Sequence, residues 1–462
     1  MKLQYAVLVS VITATGAGLD GCVLTPQGTT EQRAKLGSVA SSFEPPIDTR
    51  QLPALPVPAD WSDVLSRSFL VNGELESAYF EWKAALARID QAAVWPNSNV
   101  AISFGYLFSS DNIKTWNRTT ITAGFDPALN LSLPIKARAA GKVALEAARE
   151  AAEKFRAVKF ELQRKVLSTY LDLGLTEEKV RIQRDNLDLL QRLVNSASHN
   201  AQTGGSQSDL LKAVTESQLA QNELANLEAE RGSMRAMLNG MLGRPPDAAL
   251  ELSATLPSPR PVLADDARLI AVAVDQNPEL AGLARQVAGR RDAIEVAKLA
   301  YLPDVIPSAS ITGSMSQFLS AMLMLPTTLP AIRAVIADAQ AMERSTEAMT
   351  RQTRQDRAAS FVSNLYFMGN AERQTELYRA RLLPAVQQLL SNSRQAYAVG
   401  AETFADLIES ERAYIDVRAM VAETQIEREK RLAEIEALAG VDIETLGHPA
   451  SADTRLSAPS AR

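Results

Sequence analysis

The sequence predicts a mainly α-helical chain with a small membrane β-barrel, built on internally duplicated long helical hairpins. Three observations carry that reading. Two turn motifs, HNAQTGGSQSDLLKAV and YAVGAETFADLIESERAY, each interrupt a very long helical pattern and restart it at once. Two other segments switch from helical to alternating periodicity just after a proline. Both kinds of feature recur in the same order, so the chain reads as one unit present twice. Alternation in two hairpins gives four strands per chain. Four strands cannot close a barrel, and an open sheet edge is not tolerated in lipid. Subunits must therefore share one barrel; three chains give twelve strands, continued by the helices as a trimeric tunnel.

Composition agrees with helices rather than a thick globular core. The 462 residues are 46% hydrophobic but only 5% aromatic. A net charge of −6, with no uncompensated basic stripe, argues against nucleic acid as a partner. One cysteine and two histidines cannot build a zinc cluster or a Cys/His nucleophile pair, and no glycine-rich phosphate loop follows a strand. An enzyme, a catalytic residue and a cofactor are therefore not expected.

The N-terminus, MKLQYAVLVSVITATGAGLDGC, has a positive start and a short apolar run ending at the only cysteine, so residues 1–21 read as a signal peptide. Cys22 lies where a bacterial lipoprotein signal places its acylated residue; the alternative is an ordinary signal peptide with an incidental cysteine. Asp20 departs from the small residue usual there. A lipid on Cys22 would anchor the chain in the outer membrane rather than span it. Residues 22–60, with EPPIDTRQLPALPVPAD, are expected to be an extended, lipidated linker.

The first repeat is assigned to residues 61–243. Asn72-Gly73-Glu74-Leu75 opens a helix that stops before Pro96, as Asn277-Pro278-Glu279-Leu280 opens one that stops before Pro303 in the second repeat, residues 268–440. Beyond Pro96, Val100, Ile102, Phe104, Tyr106 and Phe108 alternate with small residues. A polar turn with Asp111, Asn112 and Asn117 precedes a second alternating run from Ile121 through Leu129 and Leu131 to Leu133. This strand hairpin is placed at about 99–133, and its weaker counterpart at about 304–329, with the register of the latter open. The legs Pro134–Gly204 and Pro330–Gly400 are of equal length, nearly free of Gly and Pro apart from Gly141, Gly174, Gly369 and Pro384. Each would extend roughly 105 Å if helical throughout. Heptad steps such as Leu227, Met234 and Met241 imply coiled-coil packing of the legs. The tips fall at about 203–209 and 399–406. Gly400 suits the left-handed end of a helix, and Thr403 with Asp406 forms a capping-box pattern for the next one. Residues 441–462 read as a disordered polar tail.

NPEL at the repeat opening, KLAYLPD before the second hairpin and YAVGAETFADLIESERAY at the tip together resemble the TolC-like outer-membrane efflux family, over essentially residues 60–440. The run from Gly204 to Pro245 further resembles the branch serving heavy-metal pumps. The resemblance implies a homotrimeric duct docking by its periplasmic tips onto an adaptor protein and an inner-membrane pump of the resistance-nodulation-division type. It implies that Asp406 and Glu409 match an acidic pair lining the periplasmic constriction, Tyr397 a gate tyrosine, and Ser208 and Asp209 a Thr-Asp pair on the other tip. Gly204, Gly205 and Gly400 would form the tip turns for adaptor docking. Glu402 stands where the family pattern has an arginine, so a latch relying on that arginine is not expected. Helix capping is the plain alternative for Asp209 and Asp406. No metal site is expected: Met315, Met322 and Met324 read as gap fillers in an apolar hairpin, His199 as a solvated residue and His448 as part of the tail. The alternative function is a lipid-tethered periplasmic coiled-coil protein without a pore.

Overall fold

The structure, a computed structural model, describes residues 22–108, 113–126, 131–204, 206–253, 256, 259–262, 266–314 and 316–443. The signal peptide, Asp111, Asn112, Leu129, Gly205, Met315, His448 and the tail from 444 lie outside the described residues. The chain forms two compact units. One gathers residues up to 40 with 78–154 and 279–353; the other gathers 41–77, 155–278 and 354 onward.

The first unit holds the strands. β1 (Cys22–Val23) pairs antiparallel with β2 (Val94–Trp95), Cys22 opposite Trp95. A four-stranded antiparallel sheet follows the order β3 (Val100–Tyr106), β4 (Thr119–Phe125), β5 (Asp304–Thr312), β6 (Ser316–Met324). Its centre is the β4–β5 pairing, from Thr120 opposite Thr312 to Gly124 opposite Ser308, which joins the two repeats. The register left open for the second hairpin runs from Asp304 opposite Met324 to Thr312 opposite Ser316. Gly313, between these strands, has φ +51°, and a Cβ there would lie 2.4 Å from Asn117 Cα. The Asn117 side chain accepts hydrogen bonds from the Ser314 N–H and hydroxyl at 3.0 and 2.8 Å, tying the turns of the two hairpins together. The first hairpin is shorter than 99–133. Trp95 Nε1 donates to the Ser132 carbonyl and the Ser132 N–H donates to Asn97, so this stretch is held beside residues 95–97 instead of pairing in a strand. Leu131 is buried.

Residues 22–60 are not a linker throughout. α1 (Thr29–Phe43) is a 15-residue helix. In the first unit its Arg33 grips Asp90 at 2.6 Å, and Val39, six positions on, is buried. Its own sequence carries too few apolar residues for the helix to be visible by period; docking stabilises it. The proline-rich part, residues 44–60, is mostly irregular and belongs to the second unit. There Arg50 donates to the carbonyls of Pro45 and Leu70 and pairs with Glu76 at 2.7 Å, which holds a segment with little packing of its own.

The helices are α2 (Trp61–Val71), α3 (Gly73–Ala93), α4 (Pro134–Gln202), α5 (Gln207–Met241), α6 (Asp266–Gln276), α7 (Pro278–Lys298), α8 (Leu329–Leu377), α9 (Leu383–Ala398) and α10 (Phe404–Ala439). α4 is continuous for 69 residues through Gly141 and Gly174. Its counterpart is not: a π-helical turn at Tyr378–Leu382 separates α8 from α9. Pro384 explains it. Its ring removes a backbone donor and crowds the carbonyl four residues back, so the helix widens there.

The repeat-opening asparagines both fasten helix ends in the second unit. Asn72 Oδ1 accepts the Leu75 N–H at 2.9 Å and caps α3, and Asn277 Nδ2 donates to the Leu438 carbonyl at 2.6 Å. Beside Asn277, Gly440 terminates α10 at φ +66°, with Pro278 so near that a Cβ would sit 2.6 Å from its Cδ. Order continues beyond this point: Ile443 is buried and its N–H donates to Glu436, so residues 441–443 are packed rather than part of a disordered tail. Arg260 reaches into the same region, pairing with Glu429 at 3.1 Å and Glu436 at 3.0 Å and covering the Trp61 ring. Both carboxylates are buried. Removing this guanidinium leaves Glu429 with Arg428 alone and Glu436, already pushed up to about 7 by burial, without its cation, a loss of about 3 kcal/mol. Arg260→Ala is therefore expected to lower the denaturant midpoint strongly, while Arg412→Ala, at an exposed pair, changes it by less than about 1 kcal/mol; equal midpoints would contradict the reading.

Candidate functional site: the two helical tips

Both tips lie in the second unit. The first ends α4 with Thr203, whose hydroxyl donates to the Asn200 carbonyl at 3.0 Å, and with Gly204 at φ +98°. Ser206 then caps α5, its Oγ accepting the Asp209 N–H at 3.3 Å. The second tip ends α9 in a Schellman motif: the Gly400 N–H donates to Tyr397 and the Ala401 N–H to Ala396. Gly400 has φ +74°, which an L side chain adopts only with strain. A capping box starts α10: Thr403 Oγ1 accepts the Asp406 N–H at 3.3 Å, and Asp406 Oδ2 accepts from the Thr403 N–H at 3.2 Å. The Thr403 hydroxyl adds a bond to the same oxygen at 2.6 Å. These bonds, the hydroxyl first, hold the Asp406 carboxyl below the ordinary aspartate range.

The tips are fastened by a small core. Phe404, Ile408, Leu190, Ala197, Ala213 and Ala220 are buried together, with Tyr397 and Leu210 packed on them. The Tyr397 and Phe404 rings meet edge to face at 5.8 Å. Farther along, Arg412–Glu216 (2.6 Å), Arg418–Asp185 (3.0 Å), Lys179–Glu423 (2.6 Å) and Lys430–Asp172 (2.7 Å) tie α10 to α4 and α5 at successive levels.

Between the tips is an open cleft of about 600 Å³ whose walls include Asp209, Lys212, Tyr397, Gly400 and Glu402. The structure thus brings together Asp209, Tyr397 and Glu402 of the predicted residues. Burial, and then the negative charge of Asp209, push the Tyr397 hydroxyl above the ordinary tyrosine range. One Glu402 carboxylate oxygen is buried with no hydrogen-bond partner. Ser208, Asp406 and Glu409 are exposed and are not among the cleft's walls. Sequence reading missed Lys212. Its spacing of three from Asp209 puts both on one face of α5, which is the signal that could have found it. Among the described residues no cluster of three or more His, Cys, Asp or Glu could hold a metal ion.

Residues 64–244 match the family described as "Outer membrane efflux protein". The first repeat is thus similar to an outer membrane efflux protein domain. Solved structures agree on the fold. The outer membrane protein VceC from Vibrio cholerae superposes with a TM-score of 0.69 at 16% identity, covering 83% of this chain and 96% of its own. The Campylobacter jejuni CmeC outer membrane channel gives 0.69 at 12%, covering 83% and 86%. The open state of the Neisseria gonorrhoeae MtrE outer membrane channel gives 0.66 at 14%, covering 83% and 89%. No curated protein matches the sequence. The likeness of fold spans both repeats, and this fold places the two capped tips side by side.

Removing the cap should loosen the tip locally. Thr403→Ala is expected to cost the start of α10 about 1 kcal/mol, read as faster amide exchange over residues 404–410. Because the Asp406 carboxyl is held low, its share of the cap is present above the ordinary aspartate value of 3.8 and is lost as pH falls through the depressed one. Exchange that is insensitive both to acid and to Thr403→Ala would rule out a working capping box.

Proposed function

We propose that this chain is the outer-membrane channel of a tripartite efflux system, a passive homotrimeric duct that carries metal ions or small toxic compounds outward. The observation that carries the proposal is the four-stranded sheet of the first unit. Its outer strands, β3 and β6, are each paired on one side only, and both are exposed along their whole length. Phe104 is 75% exposed and Leu319 83% exposed. A soluble tether has no use for such a surface, whereas further copies can pair the edges and lipid can cover the apolar side chains. No described helix is long and apolar enough to cross a membrane.

Cys22 supports a lipid anchor. It is exposed, unpaired to another cysteine, and held opposite Trp95, five residues before β3 begins. An acyl chain there would enter the leaflet beside the sheet. At the tips, a Cβ added at Gly204 or Gly400 would meet nothing within 4 Å. Turns this open suit a docking surface for a periplasmic adaptor and, through it, an inner-membrane pump. Threefold repetition would gather the Asp209, Asp406 and Glu409 carboxylates near one axis, where an acidic ring favours cations.

Labelled palmitate is expected to enter the wild-type protein and not Cys22→Ser; equal labelling of both would remove the anchor. In planar bilayers the purified protein is expected to conduct with cation preference, reduced in an Asp209→Asn, Asp406→Asn double variant and more weakly expressed at high salt. Asp247→Asn, an exposed loop position, is the control. Absence of conductance would favour the poreless tether, and unchanged selectivity would leave the two aspartates as helix caps only.

A further inference from the structure

One carboxylate near the tips takes no part in the caps or in the cleft. Glu411 lies on α10, three residues past Ile408 and four past Leu407, so the helical period turns it inward with the apolar stripe. It is only 2% exposed, and neither carboxylate oxygen has a hydrogen-bond partner. Buried ionised carboxylates without partners are costly, so such a group must bind a proton or bring water in. The space for water is there. Glu411 borders an open groove of about 240 Å³ between α4, α5 and α10, rimmed by the exposed residues Leu219, Glu223 and Arg412.

The surroundings decide which of these happens. α4 contributes Gln183, Asn186 and Leu190 to the groove, none of them charged. α5 contributes Glu216 and Glu223, and α10 itself adds Arg412. Arg412 is already engaged with Glu216 at 2.6 Å. The remaining cation near enough to act is Arg394 of α9, which favours the charged form from an exposed position. Glu216 and Glu223 therefore line the groove with Glu411, and neither Arg412 nor Arg394 hydrogen-bonds to its carboxylate.

We propose that buried Glu411, at the floor of this groove, is a proton-binding site whose surroundings pack closed when the carboxyl is protonated and take in water when it is ionised. Burial, the largest influence, together with Glu216 raises this carboxyl from 4.5 to about 7 against the opposing pull of Arg394. The folded value lies above the unfolded one. Its stabilising share is thus complete below 4.5, declines as pH rises towards about 7, and is gone above that. Opening at this place would loosen α10 about two turns beyond its capped start and alongside α5, so proton uptake would set how firmly the tips are held. This inference concerns packing within one chain and stands whether or not the assembled protein conducts.

Infrared spectroscopy and amide exchange on the intact protein in detergent test it. Wild type is expected to show a protonated-carboxyl absorption at about pH 6 that vanishes by about pH 8, and Glu411→Gln should lose the share that Glu411 contributes, leaving that of buried Glu436. After correction for the chemical exchange rate, residues 207–224 and 404–420 should exchange several-fold faster at the higher pH in wild type and equally at both in Glu411→Gln. Glu216→Gln removes one facing charge and frees Arg412, so it should move the midpoint downward. No pH-dependent carboxyl band in wild type would overturn the proposal without recourse to any variant. The same pH ratio of exchange in wild type and Glu411→Gln, or a midpoint unmoved in Glu216→Gln, would overturn it as well.

Discussion

The structure depends on an unmet demand of backbone hydrogen bonding. A strand at the rim of a sheet presents donors and acceptors to whatever lies beyond it, and in hydrocarbon nothing there can answer them. β3 and β6 are such rims, and the apolar side chains of β6 (Phe318, Leu319, Met322, Leu323) are exposed with them. The duplication makes the demand larger and the solution simpler. Because β4 pairs with β5, the two repeats fuse their hairpins into one four-stranded piece with a single edge at each side. Strand directions alternate through the piece, so β6 of one copy can meet β3 of the next antiparallel, and a ring of copies closes without a mismatch.

At the tips the same economy holds within single residues. Asp406 accepts the Thr403 N–H and hydroxyl and so completes a helix start, yet it stays exposed and charged. Capping and a contribution to an acidic constriction are compatible uses of one carboxylate. Asp209 differs, because its N–H takes the cap from Ser206 while its charge acts on Tyr397 across the cleft. Glu402 sits on that cleft opposite a wall that supplies Lys212, so the tip carries both signs of charge, distributed otherwise than in the pattern the sequence resembles.

Local rules made most of this legible. Glycines at 204 and 400, the Thr403–Asp406 pair and the period-two runs act over a few residues, and each appears in the structure where its chemistry demands. What stayed hidden depends on partners distant in sequence. α1 is invisible because its helicity comes from docking, with Arg33 reaching Asp90. The end of the first hairpin is set by Trp95 and Asn97 gripping Ser132, which no alternation pattern reveals. The break at Tyr378–Leu382 could have been foreseen from Pro384, whose clash falls four residues back. Glu411 shows the limit of reading charge as solvated surface: its period was inward, and only the packed helices disclose that nothing there neutralises it.

The most direct test of the shared sheet is cross-linking of its rims. Single cysteines along β3 (Ile102, Ser103, Phe104) would be combined with single cysteines along β6 (Phe318, Leu319, Ser320) in a Cys22→Ser background, and oxidised in membranes. β3 and β6 are separated within one chain by the two central strands, so a bond between them must join different copies. At least one pairing should give a covalent three-chain product that returns to single chains on reduction. Single chains alone from every pairing, or products that grow without limit instead of closing at three, would contradict a barrel built jointly by three subunits.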